Sequence, residues 1–248
     1  YRLVEKLQDL RGRVKMIHYV APTVWAWKKY RAKKFASLYD LMLTLFSFEP
    51  EYFLKYNLKS VFVGHPLFFK KREKSRRKKL ITFFPGSRLN EIKRVMPLLK
   101  KIMKKLSVTH NDYELKILTI PIMKDEIKKI INNENFQIIH KEKEKDQAIQ
   151  NSHFAVAVSG TISLELASFK VPMIILYKSN FLTSLIILSF VKTKWASLIN
   201  IIFDKEIVPE LLFYDCNYSN LLSKIEEFLV NQKKCYEQKK YFDRLANL

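Results

Sequence analysis

Residues 81–92, ITFFPGSRLNEI, place an apolar run rich in β-branched and aromatic residues directly before Pro-Gly-Ser-Arg and the start of a helical pattern. The apolar run predicts a buried strand. From Asn90 to Leu106, apolar side chains recur at helical spacing, which predicts a helix. Because a strand that leads directly into a helix is the building unit of parallel sheets covered by helices, the stretch predicts an α/β fold.

The same alternation of strand-like and helix-like segments continues along the rest of the chain. It predicts a small β-α-β-α-β piece, then a charged stretch, then a Rossmann-like half. The predicted strands are residues 14–20, 41–46 and 60–65 in the small piece, and 80–86, 113–120, 136–141, 153–160 and 171–178 in the Rossmann-like half. The predicted helices include residues 28–39, 50–55 and 90–106.

These patterns divide the chain into four parts. Residues 1–65 form the small α/β piece, the charge-dense residues 66–79 form a linker, residues 80–217 form the Rossmann-like domain, and residues 218–248 form two further helices.

The composition favours an anionic partner. The chain has 248 residues, and 45 Lys and Arg against 24 Asp and Glu give a formal net charge of +21. Nucleic acid, an acidic lipid surface and a phosphorylated substrate all fit that charge. The two cysteines show neither metal-ligand nor disulfide-framework spacing, which favours a reducing, cytoplasmic location. We expect no secretory signal in the charged opening segment.

The turn at Gly86, Ser87 and Arg88 is the first candidate site. Gly86 permits close backbone approach or a positive φ, and Arg88 can bind phosphate oxygens through its forked donors. Ligands of open α/β sheets bind outside the carboxyl ends of the strands, which is where this turn lies. The alternative is an ordinary strand-to-helix turn with a solvated arginine.

A second strand, 153–160, ends in Ser159, Gly160 and Thr161, and Glu165 follows about one turn into the next helix. Hydroxyls and N–H groups here suit a diphosphate, and a carboxylate suits the paired hydroxyls of a sugar. The alternative is a helix N-cap with a favourable acid in the first turn.

Aromatic residues among cations form two further candidates. Trp25 and Trp27 precede a lysine- and arginine-rich helix, and Lys194 and Trp195 follow the apolar stretch 181–191. That stretch is too short to span a bilayer, which requires roughly 20 residues. Such segments suit a headgroup interface or stacked bases. The alternatives are an exposed basic helix with one tryptophan in the core, and a buried helix.

The histidines and the charge run 141–146, KEKEKD, carry less information. His65 follows a strand at a predicted domain junction and is a candidate ligand contact, whereas the other four histidines lack metal-like spacing. We interpret KEKEKD as a solvated helix face, and we expect no metal site.

Five segments, taken together and in this order, resemble the lipid-A-disaccharide synthase family of bacterial glycosyltransferases. They are YVAPTVWAWKKYR (19–31), FVGHPL (62–67), FFPGSRLNEI (83–92), SGTISLELASFKVPMIILYK (159–178) and KTKWASLINIIFDKEIVPELL (192–212). Two departures stand out, since Ile199 replaces the proline of a Leu-Pro-Asn motif and residues 21–23 read Ala-Pro-Thr instead of Ser-Pro-Ser.

The resemblance implies a glycosyltransferase B fold, in which residues 1–65 belong to the acceptor-side domain and residues 80–217 bind the nucleotide sugar. It implies an inverting, metal-independent hexosyltransferase without cofactor. That enzyme joins UDP-2,3-diacylglucosamine to 2,3-diacylglucosamine 1-phosphate and releases UDP and the β-1,6-linked lipid A disaccharide. It also implies a cytoplasmic enzyme of a Gram-negative bacterium, peripheral on the anionic inner face of the cytoplasmic membrane, with no nucleic-acid partner.

The resemblance assigns a role to each candidate. Arg88 would be catalytic, offsetting charge on the departing UDP. Residues that would bind substrate are Gly86, Ser87, Gly160, Thr161, Glu165, Asn200 and His65. Residues that would face acyl chains or membrane are Trp25, Trp27 and Trp195.

Two family features, an opening Gly-rich turn and a carboxylate general base, have no counterpart in this sequence. The chain is therefore expected to resemble the carboxyl two-thirds of such an enzyme. The strands that the resemblance implies are missing would leave the first sheet with exposed edges, so we expect a homo-oligomer or a partner chain that supplies the missing amino-terminal segment. Two alternatives stay open: an inactive or partner-dependent UDP-binding fragment, and another enzyme of this fold that uses a UDP-N-acetylhexosamine.

Overall fold

The computed structural model describes residues 1–25, 29–69, 77–132, 134–178 and 194–245. These residues form two compact units, one before and one after residue 70. Among the described residues, all neighbouring strands pair in parallel, and helices occupy the connections between them. The predicted α/β class is confirmed.

The first unit contains a three-stranded sheet in the order β1-β2-β3. Its elements are α1 (Arg2–Lys6), β1 (Ile17–Tyr19), α2 (Arg31–Leu38), β2 (Leu41–Thr44), α3 (Glu51–Leu54), β3 (Ser60–Phe62) and α4 (Pro66–Phe69). Phe35, Met42 and Phe53 form the centre of its core. The first strand is shorter than predicted at both ends, and at its carboxyl end Val20 takes a positive φ of 73°, which ends the extended backbone.

The second unit contains a six-stranded sheet in the order β6-β5-β4-β7-β8-β9. Its strands are β4 (Leu80–Phe84), β5 (Glu114–Leu118), β6 (Gln137–Ile139), β7 (Phe154–Val158), β8 (Met173–Tyr177) and β9 (Glu210–Leu212). Its helices are α5 (Leu89–Thr109), α6 (Lys124–Ile131), α7 (Glu142–Asn151), α8 (Ile162–Ser168), α9 (Leu198–Phe203), α10 (Tyr218–Val230) and α11 (Gln232–Leu245).

The central strands β4 and β7 are buried along their whole length, as expected for parallel strands covered on both faces. The predicted helix over 90–106 is present and runs from Leu89 to Thr109, with its apolar stripe in the core. Strand β9 was not predicted, because its three residues follow Pro209 and begin with a charged Glu210.

The stretch 66–79 is more structured than a linker at its two ends. Residues 66–69 form α4, and Arg77 donates to three backbone carbonyls, those of Ser152, Phe169 and Lys170. Burial lowers the pKa of Arg77. The guanidinium thereby ties the start of the second unit to the turns before β7 and β8.

The two carboxyl-terminal helices belong to the second unit. Helix α10 packs against α5, and α11 packs against α8 and α10. Gln238 of α11 is fully buried: its amide accepts from Met173 N at 2.9 Å and donates to Met173 O at 3.1 Å. Among the helices that the structure describes, none is both long enough and apolar enough to cross a membrane.

Candidate functional site

The strand order of the second unit creates a crevice at the carboxyl ends of β4 and β7. From β4 the chain continues to β5 and β6 on one side of the sheet, and β7 then begins the other half, β8 and β9. The loops after β4 and β7 therefore diverge, which is the switch point where open α/β sheets bind ligands. Both Gly86-Ser87-Arg88 and Gly160-Thr161 lie in these two loops.

A cleft of about 380 Å³ opens at this switch point. Its size is sufficient for a small ligand. Six residues predicted from the sequence line it together: Gly86, Ser87, Arg88, Gly160, Thr161 and Glu165. The structure therefore brings the two sequence-distant turns to one cavity.

The β4–α5 loop has a shape that requires glycine. Gly86 has a φ of +102°, and a Cβ there would lie 2.7 Å from Glu91 Oε2. Arg88 Nη1 donates to Glu91 Oε1 at 2.5 Å, and this hydrogen bond raises the pKa of Arg88. The Arg88 side chain is nevertheless 78% exposed, so most of its donors face solvent at the cleft.

The two hydroxyls of the β7–α8 loop differ: that of Thr161 lies at the cleft, whereas that of Ser159 makes a hydrogen bond within the protein. Ser159 Oγ donates to Ala196 O at 2.8 Å, so it holds the following segment in place. Thr161 is the N-cap of α8 but makes no side-chain capping hydrogen bond, which disfavours the purely structural interpretation of its hydroxyl. Among the described residues, no atom outside its chain neighbours lies within 4 Å of a Cβ built on Gly160, so open space in the described structure faces this glycine.

Acidic groups gather beside Glu165. Carboxylate oxygens of Glu142, Asp146 and Glu165 lie within 4.8 Å of one another, and Lys145 lines the same cleft. This is the group of described residues that could hold a cation, although such acidic groups are common without one. The interpretation of KEKEKD as a solvated face is therefore incomplete. The segment follows β6 at the carboxyl edge of the sheet, and that position was the signal that could have identified these acidic residues as part of the site.

Thr119, directly after β5, was also not predicted from the sequence. It is 4% exposed and lines the cleft, and its Oγ1 has no hydrogen-bond partner among the described residues. The buried Nδ1 of His140, at the end of β6, is likewise unpartnered there. Since buried polar atoms normally have partners, Thr119 favours a polar ligand on the β5 side of the crevice, whereas His140 is absent from the cleft lining.

Asn200 lies away from the cleft lining, in a buried network. Its Oδ1 accepts from Ile207 N and Val208 N at 2.8 and 3.0 Å, and its Nδ2 donates to Val208 O and Glu210 Oε1 at 2.8 and 2.7 Å. Burial raises the pKa of Glu210, which also accepts from the backbone before α9. The observed contacts of Asn200 thus hold α9 to β9.

The predicted aromatic residues have different environments. Trp25 is 8% exposed in the first unit and donates to Glu49 Oε1 at 3.2 Å, which favours the alternative of a core tryptophan. Trp27 lies outside the described residues. Trp195 is half-buried, donates to Asp204 at 3.3 Å and carries Lys194 Nζ 4.8 Å above its ring.

His65 belongs to the first unit. It lies between the rings of Phe46 and Phe68, at centroid distances of 6.0 and 6.2 Å, and its Nδ1 accepts from Leu67 N at 3.3 Å. Burial lowers the pKa of His65. The role of His65 in substrate binding therefore stays a prediction.

Comparisons with known proteins show which family this chain is similar to. The family model described as lipid-A-disaccharide synthetase matches residues 1–248. A lipid-A-disaccharide synthase of Rickettsia prowazekii is 33% identical over 96% of this chain, which spans 66% of that relative's length. A second, of Rickettsia felis, is 34% identical over 96% of the chain, which spans 64% of its length.

Solved structures share the fold at low identity. MnaA of S. aureus, solved with UDP, matches with a TM-score of 0.60 and 14% identity over 99% of this chain and 78% of its own. The alignment, with the parallel sheets, confirms the expected glycosyltransferase B type of α/β fold. Because the family model matches the chain from end to end, the chain belongs to the lipid-A-disaccharide synthetase family.

Proposed function

We propose that this chain binds a UDP-linked, diacylated glucosamine in the switch-point cleft and contributes to its transfer onto 2,3-diacylglucosamine 1-phosphate, releasing UDP. The observation that carries the proposal is the convergence of the loops after β4 and β7 on one cavity. Family membership supports the choice of reaction. Since the chain spans 66% of the relative's length, binding and transfer are tested separately.

The diphosphate would lie between the two loops. Arg88 supplies charged donors, and the backbone at Gly86 and Gly160 permits close approach. The N-terminus of the 21-residue α5 adds a favourable dipole for an anion. As the glycosidic bond breaks, negative charge grows on the departing UDP, and Arg88 stabilises it there.

The nucleoside would lie toward β5 and β6. Glu165 accepts hydrogen bonds from the ribose hydroxyls, as a carboxylate can accept two at once. Thr119 Oγ1 lines the cleft on that side without a partner in the described structure, and a base would give it one.

Isothermal titration of the chain with UDP, UMP and uridine tests the binding part. We expect UDP to bind more tightly than UMP, and UMP more tightly than uridine, because each phosphate adds contacts to the loops after β4 and β7. Equal affinity for all three compounds would contradict the placement of the diphosphate. Titration with UDP-N-acetylglucosamine and with UDP-2,3-diacylglucosamine then separates the two donor classes, since the alternative enzyme prefers the donor without acyl chains.

Transfer is measured with a radiolabelled donor and 2,3-diacylglucosamine 1-phosphate. Disaccharide formation by the chain alone would contradict the alternative of a UDP-binding fragment. UDP binding without disaccharide formation would support that alternative.

We further propose that the chain associates with an anionic membrane surface. The net charge of +21 and the half-buried Trp195 beneath Lys194 support this proposal. Co-sedimentation with anionic and with neutral vesicles tests it. We expect binding to anionic vesicles that weakens as salt is added. Equal recovery with both vesicle types would contradict an electrostatic contribution.

A further inference from the structure

A second cleft, of about 360 Å³, lies beside the first at the same edge of the sheet. The two clefts share Arg88, Glu91 and Val158. The first extends to the end of β5, whereas the second extends to Tyr177 and Lys178 at the end of β8. Because the strand order is β5-β4-β7-β8, the clefts open toward opposite sides of the β4–β7 pair.

The second cleft is cationic. Three cationic side chains, Arg88, Arg94 and Lys178, line it with one carboxylate, Glu91. Glu91 is paired with Arg88, and no carboxylate of the described residues lies within 4 Å of the charged groups of Arg94 or Lys178. Two cations on different elements, α5 and the end of β8, therefore face one cavity without a partner in the described structure.

The start of α5 strengthens the preference for an anion. Leu89 and Asn90, the first two residues of this helix, also line the second cleft. The Arg88 side chain makes no capping hydrogen bond to them. Their N–H groups have no intrahelical acceptor, and the positive end of the helix dipole lies at the cavity.

Apolar and aromatic groups complete the lining. Val95 and Val158 are buried there, and Tyr177 is half-buried. A cavity that combines two cations with an apolar wall and an aromatic ring suits a phosphorylated sugar better than a free inorganic ion.

We infer that the second cleft binds the phosphate monoester of the sugar acceptor, with Arg94 and Lys178 as its charged contacts. The inference rests on the proposed function. In a β-1,6 linkage the reacting hydroxyl is on C6 and the phosphate is on C1, so the two groups leave the acceptor sugar from carbons on either side of its ring oxygen. The acceptor can therefore present its hydroxyl toward the donor while its phosphate lies in the neighbouring cleft. Arg88, which lines both cavities, stands between the two anions.

The test compares Arg94→Ala and Lys178→Ala with Lys93→Ala. Lys93 is exposed on α5 like Arg94, and it is absent from the lining of this cleft, so its removal deletes the same charge from the same helix. The probes are 2,3-diacylglucosamine 1-phosphate with short acyl chains and the same compound without phosphate, each titrated with and without saturating UDP. Circular dichroism confirms that the variants fold.

We expect Arg94→Ala and Lys178→Ala each to weaken binding of the phosphorylated probe about tenfold, since each removes a charged hydrogen bond. Affinity for the dephosphorylated probe and for UDP should not change, and Lys93→Ala should bind like the unaltered chain.

Three results would overturn the inference. Equal losses with both probes would mean that these residues contact the sugar or the acyl chains instead of the phosphate. A loss of UDP affinity in Arg94→Ala or Lys178→Ala would assign the cleft to the donor diphosphate. An equal loss in Lys93→Ala would indicate general electrostatic attraction. Absence of UDP binding in the unaltered chain would refute the proposed function alone, because the titrations without UDP still report on the second cleft.

Discussion

Arg88 and Glu91 form an ion pair across the first turn of α5, with 2.5 Å between Nη1 and Oε1. The same glutamate approaches Gly86, whose hypothetical Cβ would lie 2.7 Å from Oε2. Glu91 thus fixes the orientation of Arg88 from one side while the rest of the guanidinium is exposed. A charged side chain held in this way loses less rotamer freedom when it binds a phosphate.

Replacement of Arg88 by alanine should weaken UDP binding by roughly 10- to 100-fold, the cost of a charged hydrogen bond of about 1.5–3 kcal/mol. The free energy of unfolding should change by no more than about 0.5 kcal/mol, because the side chain is largely exposed. Calorimetric titration and urea denaturation measure the two quantities. Lys93→Ala, which removes an exposed cation one turn further along, is the control. Unaltered UDP affinity in Arg88→Ala would remove the main site assignment.

The two cleft glycines should respond differently to alanine. Gly86→Ala should lower the free energy of unfolding by about 1–2 kcal/mol, because a positive φ is unfavourable for alanine and its Cβ meets Glu91. Gly160→Ala should leave stability nearly unchanged, because its Cβ would enter open space, yet it should weaken UDP binding by occupying that space. Urea denaturation and titration of both variants distinguish these effects. Full UDP affinity in Gly160→Ala would place the diphosphate elsewhere.

Thr119→Val tests the unpartnered hydroxyl. Removing a buried hydroxyl that has no partner among the described residues should leave stability unchanged or higher, and UDP affinity should fall severalfold if the ligand supplies that partner. Thr82→Val on neighbouring β4 is the matched control. Thr82 is also buried, but its Oγ1 is 3.0 Å from Ser152 Oγ, so this variant should lose about 1 kcal/mol of stability and keep its UDP affinity. The reverse pattern would assign the Thr119 hydroxyl a structural role.

Stability should fall as the pH drops below about 6.5. Burial lowers the pKa of His18, His65 and His153 below the ordinary value of 6.5. The unfolded chain then binds protons at a higher pH than the folded chain does. The stability that the neutral histidines contribute is complete above pH 6.5, and it is lost as the pH falls toward their lowered pKa values in the folded state.

Urea midpoints at pH 7.5 and 5.5 measure that change. His18 packs against Phe35 and Tyr39 at centroid distances of 5.0 and 4.8 Å, so His18→Phe fits an aromatic site and cannot titrate. We expect this variant to depend less on pH. An unchanged dependence would show that His18 does not contribute to it.

Much of the second sheet was predictable because short apolar runs that are rich in β-branched and aromatic residues and end in turns indicate buried parallel strands. Residues 154–158 form an uninterrupted apolar run, residues 80–84 form one that only Thr82 interrupts, and each leads into a turn with glycine. Strand β9 was not predictable, because three residues after a proline carry too little pattern, and pairing with β8 stabilises them only in the folded chain.

The cleft was predictable where residue type and strand end coincide, as at Arg88. Thr119 and Asp146 were missed because a threonine or an aspartate in a charged run has no local signature. Their positions become informative only when the sheet order places the ends of β5 and β6 on the same side of β4. Trp25 shows the opposite limitation: neighbouring lysines suggested an interface, but the indole donates to the buried Glu49 in the core.

The amide of Gln238 completes the backbone hydrogen bonding at the amino end of β8, whose carboxyl end borders the second cleft. Helix α11 is therefore part of the sheet's support and cannot be removed as a dispensable tail. A chain shortened before this glutamine would leave a buried N–H and a buried carbonyl of Met173 without their protein partners. The loss of these hydrogen bonds would destabilise β8, which runs from Met173 to Tyr177. Expression trials and fusion designs should therefore preserve the chain through at least α11.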